Sequence, residues 1–338
     1  MPPGGPYSFS VTVTDSIPTV TTLTVTLSIM HDFGVGPIAG HQHPNGGGWV
    51  ADSATVASTA YVGPQAVVYG MAQVLGYAKV YMTAKVYGAT VIKDHAQVYG
   101  AAEVSGNAVL ADFAQAYDFA LISGSVAMTG NSQAFDSALV YGSAMLSGNA
   151  QVYGNAQVYE SGVVTENGVI YESAHVLGAG KVAGTAQVAG SATVNGSSFV
   201  CGNARVIGDA AVNGSAKIYG SAIITNTVTV TGEAVVYETA SISQTAMVEG
   251  SARVYGTARV MSNTHLRGKA QVYGNALLNG LNGVVQGNAE VGGTAELTVT
   301  GYLVEGDDVI LTTTTPASTY IPPSTPGPGP GPSSNPSS

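Results

Sequence analysis

Three histidines stand where a proton could be moved: His95 in the turn Lys93-Asp94-His95, and His175 and His265, each just before a Val or a Leu. As a general base, each needs a carboxylate to orient it and a bound substrate within hydrogen-bond reach. Glu172 is close to His175 in sequence but lies across a turn. His41 and His43, at i and i+2 on an extended stretch, point the same way and with His31 could hold a metal. The carboxylate pairs Asp307 with Asp308 and Glu160 with Glu166 read as solvated turns, since a glycosidase needs two carboxyls about 5 to 9.5 Å apart in a cleft. The single Cys201 follows Val200 and faces outward, and a reactive thiol would need electropositive neighbours. There is no Ser-His-Asp spacing, no phosphate-cradling loop and no Cys-His zinc pattern. The sequence therefore predicts no catalytic residue, no metal and no cofactor.

A different constellation recurs every eighteen residues. Tyr81, Tyr99, Tyr117, Phe135, Tyr153 and Tyr171 form one column, with Gln97, Gln115, Gln133 and Gln151 two residues before four of its members. Tyr219, Tyr237, Tyr255 and Tyr273 form a second. Two readings are open. Stacked rings stiffen a sheet as cross-strand aromatic pairs do. Alternatively, ring faces beside hydroxyls and amides make an amphipathic surface suited to a glycan or to a second copy of the chain.

The elements behind these columns follow from a shorter period. Thirty-nine positions six residues apart, Val50 to Leu278, hold Val, Ile, Leu or Met, except Ala116 and Ala134. Four residues after each comes a small residue, usually Ala, as in Val152-Tyr-Gly-Asn-Ala-Gln. Such self-similarity means one small unit stacked many times. Six is not a multiple of 3.6, and a Gly in most units would cost a helix about 1 kcal/mol each. The units are therefore strands, with Gly and Asn turns that tolerate positive φ. Eighteen-residue recurrence makes three units per coil, and thirteen coils at about 4.8 Å would span roughly 60 Å.

An aliphatic followed four residues later by a small residue resembles the hexapeptide-repeat family, over most of the chain from Trp49 to Val309. The resemblance implies a left-handed parallel β-helix of triangular cross-section. Acyltransferases of that family act as trimers, with a His beside an acyl-CoA groove and a loop extruded from the coils. Here the frame has no insertion from 50 to 278, which counts against catalysis. An ice-binding solenoid needs long Thr columns, and Thr recurs only locally, as in Thr227-Val-Thr-Val-Thr231.

The expected organisation is a β cap and lead-in segment over 1–48, a solenoid over 49–311 and a Pro/Gly/Ser-rich tail over 312–338. Within the first part, Ser10 to Thr14 and Thr22 to Ile29 read as a hairpin over the open first coil, with Trp49 plugging it. One residue is inserted near Leu281-Asn282-Gly283, after which Val285, Val291, Leu297 and Leu303 continue inward. The tail holds eight of the 15 prolines and reads as an extended linker, hence a tether. Ten Lys and Arg against 20 Asp and Glu, a net charge of −10, give no basic footprint for nucleic acid and no polybasic membrane contact. No transmembrane stretch or secretory signal is visible. The reading that follows is a non-enzymatic structural or adhesive rod, extracellular or on a cell or virion surface, whose partners are like copies or glycans.

Overall fold

An aliphatic every six residues and a small residue four positions later can both be buried only if the chain turns after every very short strand. The computed structural model, which describes residues 30–32 and 37–312, has this form. From Thr55 to Leu278 every six-residue unit carries a two-residue strand, such as Gln97–Val98, Glu103–Val104 and Val109–Leu110. The described residues contain no helix.

The chain divides into two compact units, Met1–Ser173 and Ala174–Ser338. Each is an all-β parallel solenoid with eighteen-residue coils. In the first, Val50 pairs in register with Val68, Val68 with Val86 and Val86 with Val104. Two further sheets run through Val56, Val74 and Ile92, and through Val62, Val80 and Val98. In the second unit Val176 pairs with Val194, Val182 with Val200 and Val188 with Val206. The aliphatic and small positions form the interior: Val98, Ala102, Val104 and Ala108 are all 0% exposed, as are Ala116 and Ala134. Each buried aliphatic contributes roughly 1.5–3 kcal/mol relative to an exposed one.

From Val68 to Val272 the residue two after each inward position turns the corner in the left-handed conformation. At Gly106 (φ 76°) a Cβ would stand 2.6 Å from the backbone nitrogen of Gly124, one coil on. Where an acid replaces Gly, as at Asp94, Asp112 and Asp136 (φ between 55° and 61°), the side chain has a use. Asp112 accepts a hydrogen bond from the backbone N–H of Gly130 at 2.9 Å, and Asp136 from that of Gly154 at 3.2 Å. Glu238 does the same for Gly256 at 2.8 Å. These acids occupy a conformation that costs most L-residues about 1–2 kcal/mol and bond an N–H outside the strand ladder. Asp112→Ala is therefore expected to destabilise its unit by about 1–2 kcal/mol, through both terms. Asp112→Gly, which recovers the conformation but not the bond, should fall between Ala and wild type in urea denaturation. An Ala variant that unfolds at the wild-type denaturant concentration would remove this role.

At the start of the solenoid, β2 (Pro37–Gln42) runs antiparallel to β1 (Met30–Asp32) and to β3 (Trp49–Ala51), with His41 opposite Val50. It covers one sheet edge. Asn45 covers another, its carbonyl accepting from the Val62 N–H at 3.1 Å and its amide donating to the Ala60 carbonyl at 2.8 Å. The expected hairpin over 10–14 and 22–29 lies outside the described residues, as does the tail from 313. Trp49 does not plug the first coil. Val50 takes the inward position, so Trp49 lies half-buried in the outward one, opposite Gln42 and Val67, where a Cβ on Gly40 would come 2.9 Å from its ring.

Near the other end the inserted residue is present: His265 pairs with Val284 and Leu266 with Val285. The frame then shifts a second time. Leu303 does not point inward; it is 37% exposed, and Val304 is the buried residue at 3%, in register with Val285. The shift places Tyr302 in the column of small residues, after Thr264 and Gly283. Tyr302 is 6% exposed, a Cβ on Gly283 would lie 2.0 Å from its Cζ, and its hydroxyl is 3.0 Å from Thr264 Oγ1. A bulky ring thus fits in a slot built for Ala because the coil beside it offers Gly.

Candidate functional site

The aromatic columns stand where their spacing puts them, each ring on the residue after an inward aliphatic or Ala. Parallel strands spaced about 4.8 Å apart impose that spacing on any side chain repeated in register. In the first column centroids are 4.8–5.4 Å apart and ring planes are within 13° of parallel, from Tyr81 through Tyr99, Tyr117, Phe135 and Tyr153 to Tyr171. In the second, Tyr219, Tyr237, Tyr255 and Tyr273 stack at 4.9–5.3 Å. All ten rings are half-buried. Inside a column, ring faces cover one another and only edges and hydroxyls meet solvent. The apolar faces that a glycan would stack on are thus occupied, except at column ends.

The Gln column pairs in register, Gln97 with Gln115, Gln133 and Gln151 in turn. Its amides accept hydrogen bonds from the rings one coil before: the Tyr81 hydroxyl donates to Gln97 Oε1 at 3.1 Å and the Tyr99 hydroxyl to Gln115 Oε1 at 3.3 Å. Gln151 follows Phe135, which has no hydroxyl to give. The second unit repeats the device with Tyr255 and Gln271 at 3.4 Å. Rings and amides are tied to each other across coils.

This packing changes the tyrosines' acidity. Burial in the stack, then the neighbouring Tyr117 and Tyr81 phenols and the Asp118 carboxylate, push Tyr99 up to about 12 from 10.0. Burial does the same to Tyr302, up to about 12, against a smaller lowering by its bond to Thr264. The folded phenols hold their protons more tightly than unfolded ones, so the contribution to stability is complete below pH 10 and lost as pH rises towards 12. The phenolate absorbance that wild type shows and Tyr99→Phe lacks is expected to rise in that window, together with loss of β circular dichroism. A Tyr99 phenolate appearing near pH 10 with the fold intact would contradict the packing.

Shorter columns, absent from the two long series, carry the same eighteen-residue spacing. Tyr69 stacks on Tyr87 and Tyr141 on Tyr159. Tyr77, His95 and Phe113 stack at a corner, with centroids 5.5 and 5.1 Å apart. His95 is thereby a member of an aromatic column. Asn131, Asn149 and Asn167 form an amide ladder with bonds of 3.0 and 2.9 Å.

The remaining candidates are not brought together. His265 lies 3.1 Å from Asn263 Oδ1 and 3.1 Å from Arg267. His175 is half-buried in an outward strand position, and Cys201 is half-buried just past a strand end, one residue after buried Val200. His41 is exposed beside Asp52 at 3.3 Å, whereas His43 is buried against the Asn45 carbonyl at 3.1 Å, because β2 ends at Gln42 and the chain turns. The two do not share a face, and the His31 side chain lies outside the described residues. Among the described residues no three His, Cys, Asp or Glu side chains gather closely enough to hold a metal. No helix among them is long and apolar enough to cross a membrane.

No protein-family model matches the chain and no curated protein matches it, so the functional reading rests on the geometry of these columns.

Proposed function

We propose that this chain is a non-enzymatic structural or adhesive module, a left-handed solenoid of the hexapeptide-repeat kind. In this reading it is displayed outside the cell, on a cell or virion surface or in a fibre or filament, and tethered through the stretch 312–338. The observation that supports it is the continuity of the side-chain columns. Ring stacks, Tyr–Gln bonds and Asn ladders all run from coil to coil, which stiffens a scaffold and leaves hydroxyl and ring edges as its repeating outer surface. That surface suits contact with like copies or with an extracellular glycan.

Light scattering on wild type and on Tyr99→Phe/Tyr117→Phe/Tyr153→Phe tests this. The variant keeps the rings stacked and removes only hydroxyls. An assembly that the variant weakens, or a wild-type monomer that does not bind acyl-CoA, agrees with the structural reading. A trimer indifferent to the substitutions and binding acyl-CoA would overturn it in favour of an acyltransferase.

A further inference from the structure

Stacking hides ring faces everywhere except where a column begins or ends, and two columns begin side by side. The long ladder starts at Tyr81, because the preceding position of its column is Gly63, whose Cβ would stand 2.9 Å from that of Tyr81. The corner column starts at Tyr77, because the preceding position is Thr59. Neither ring has another aromatic stacked on that side among the described residues. Between them the surface forms a cleft of about 430 Å³, lined by Asn45, Thr59, Tyr61, Tyr77, Lys79, Tyr81 and Gln97. Such a volume is within the range of small-molecule sites, which combine apolar walls with a few polar groups.

The charge in the cleft is equally particular. Of the three lysines in the early coils, Lys85 holds Glu103 at 2.8 Å and Lys93 lies 4.0 Å from Asp94. Lys79, exposed in the strand between Tyr61 and Gln97, has no carboxylate partner among the described residues. Tyr77 is 59% exposed, so its ring is available at the cleft wall.

We infer that this cleft binds an acidic saccharide: a pyranose ring lies on the open face of Tyr77 or Tyr81, its carboxylate meets Lys79, and its hydroxyls reach Asn45, Thr59 and Gln97. The inference rests on the reading of the chain as an adhesive module, and it moves recognition from the length of the ladder to its first rung. The remaining ladder is then a structural support for one site.

Calorimetric titration with oligomers of galacturonate, of a glucuronate-containing glycan and of sialic acid tests the site, with methyl-esterified oligogalacturonate as the neutral control. Saturable binding of at least one acidic oligomer is expected, weakened about tenfold or more by Tyr77→Ser and by Lys79→Gln. Lys79→Gln should also abolish the preference for acid over ester. Lys217→Gln, at an exposed lysine of the second unit, should bind as wild type. Circular dichroism confirms that each variant is folded. Folded wild type that binds none of the acidic oligomers overturns the site and leaves the scattering test of the structural reading untouched. Binding that Tyr117→Phe weakens and Tyr77→Ser does not also overturns it, in favour of the ladder edge.

Discussion

Replacing Tyr99, Tyr117 and Tyr153 together by Ser is expected to cost the first unit about 2.5 to 7.5 kcal/mol. The three substitutions break every stacked pair from Tyr81 to Tyr171, five in all, and each such pair contributes about 0.5–1.5 kcal/mol beyond its buried area. Domains are stable by only about 5–15 kcal/mol, so the upper part of this range leaves the unit largely unfolded. Tyr171→Ser, which breaks one pair at the end of the column, should cost about 0.5–1.5 kcal/mol. Urea denaturation reads both, as a lowered midpoint with an unchanged slope. A triple variant within about 1 kcal/mol of wild type would mean that the rings stack without holding the coils.

The second large effect belongs to Tyr302. Truncation to Ala removes a buried ring from the interior and leaves the notch at Gly283 empty, a change that costs about 3–5 kcal/mol for a buried aromatic. Gly283→Ala acts from the other side. Its Cβ would stand 2.0 Å from Tyr302 Cζ, and such overpacking costs about 1–3 kcal/mol. Combined, the two substitutions should cost less than their sum, since the new methyl occupies space the ring has left. Additive costs would show that ring and notch are independent. Tyr302→Phe keeps the ring and leaves Thr264 only its longer bond to the Gly280 carbonyl, so a loss of about 1 kcal/mol is expected.

Much of this was legible in the residues because the fold is periodic. Val152 and its equivalents mark the interior by spacing alone, and recurrence of Tyr every eighteen residues gives the coil length before any strand is placed. The same arithmetic would have found Tyr77, His95 and Phe113, which is why His95 belongs to a stack. The places where the reading failed are those where the period breaks. Leu303 and Val304 are both acceptable interior residues, and only a second insertion, after Leu297, decides between them. Trp49 was misplaced because a bulky apolar residue beside an open coil invites the role of plug, whereas pairing fixes Val50 inward and Trp49 outward. The acids at Asp112 and Asp136 stand where most units have Gly. Their hydrogen bonds to the next coil depend on a carboxylate reaching one strand spacing along the axis, which sequence spacing does not reveal.

The availability of the ring faces also turned on geometry. A list of six aromatics beside four amides suggests an open recognition strip, and the same list stacked at 4.8 Å leaves only edges. That stacking is the central claim, and a double-mutant cycle between Tyr99 and Tyr117 addresses it most directly. Each Tyr is replaced by Ser singly and together, and the coupling is read from urea denaturation midpoints. Stacked rings that hold adjacent coils predict a favourable coupling of about 0.5–1.5 kcal/mol. Coupling indistinguishable from zero, with both single variants destabilised, would show that each ring packs on its own coil and that the column is a coincidence of register.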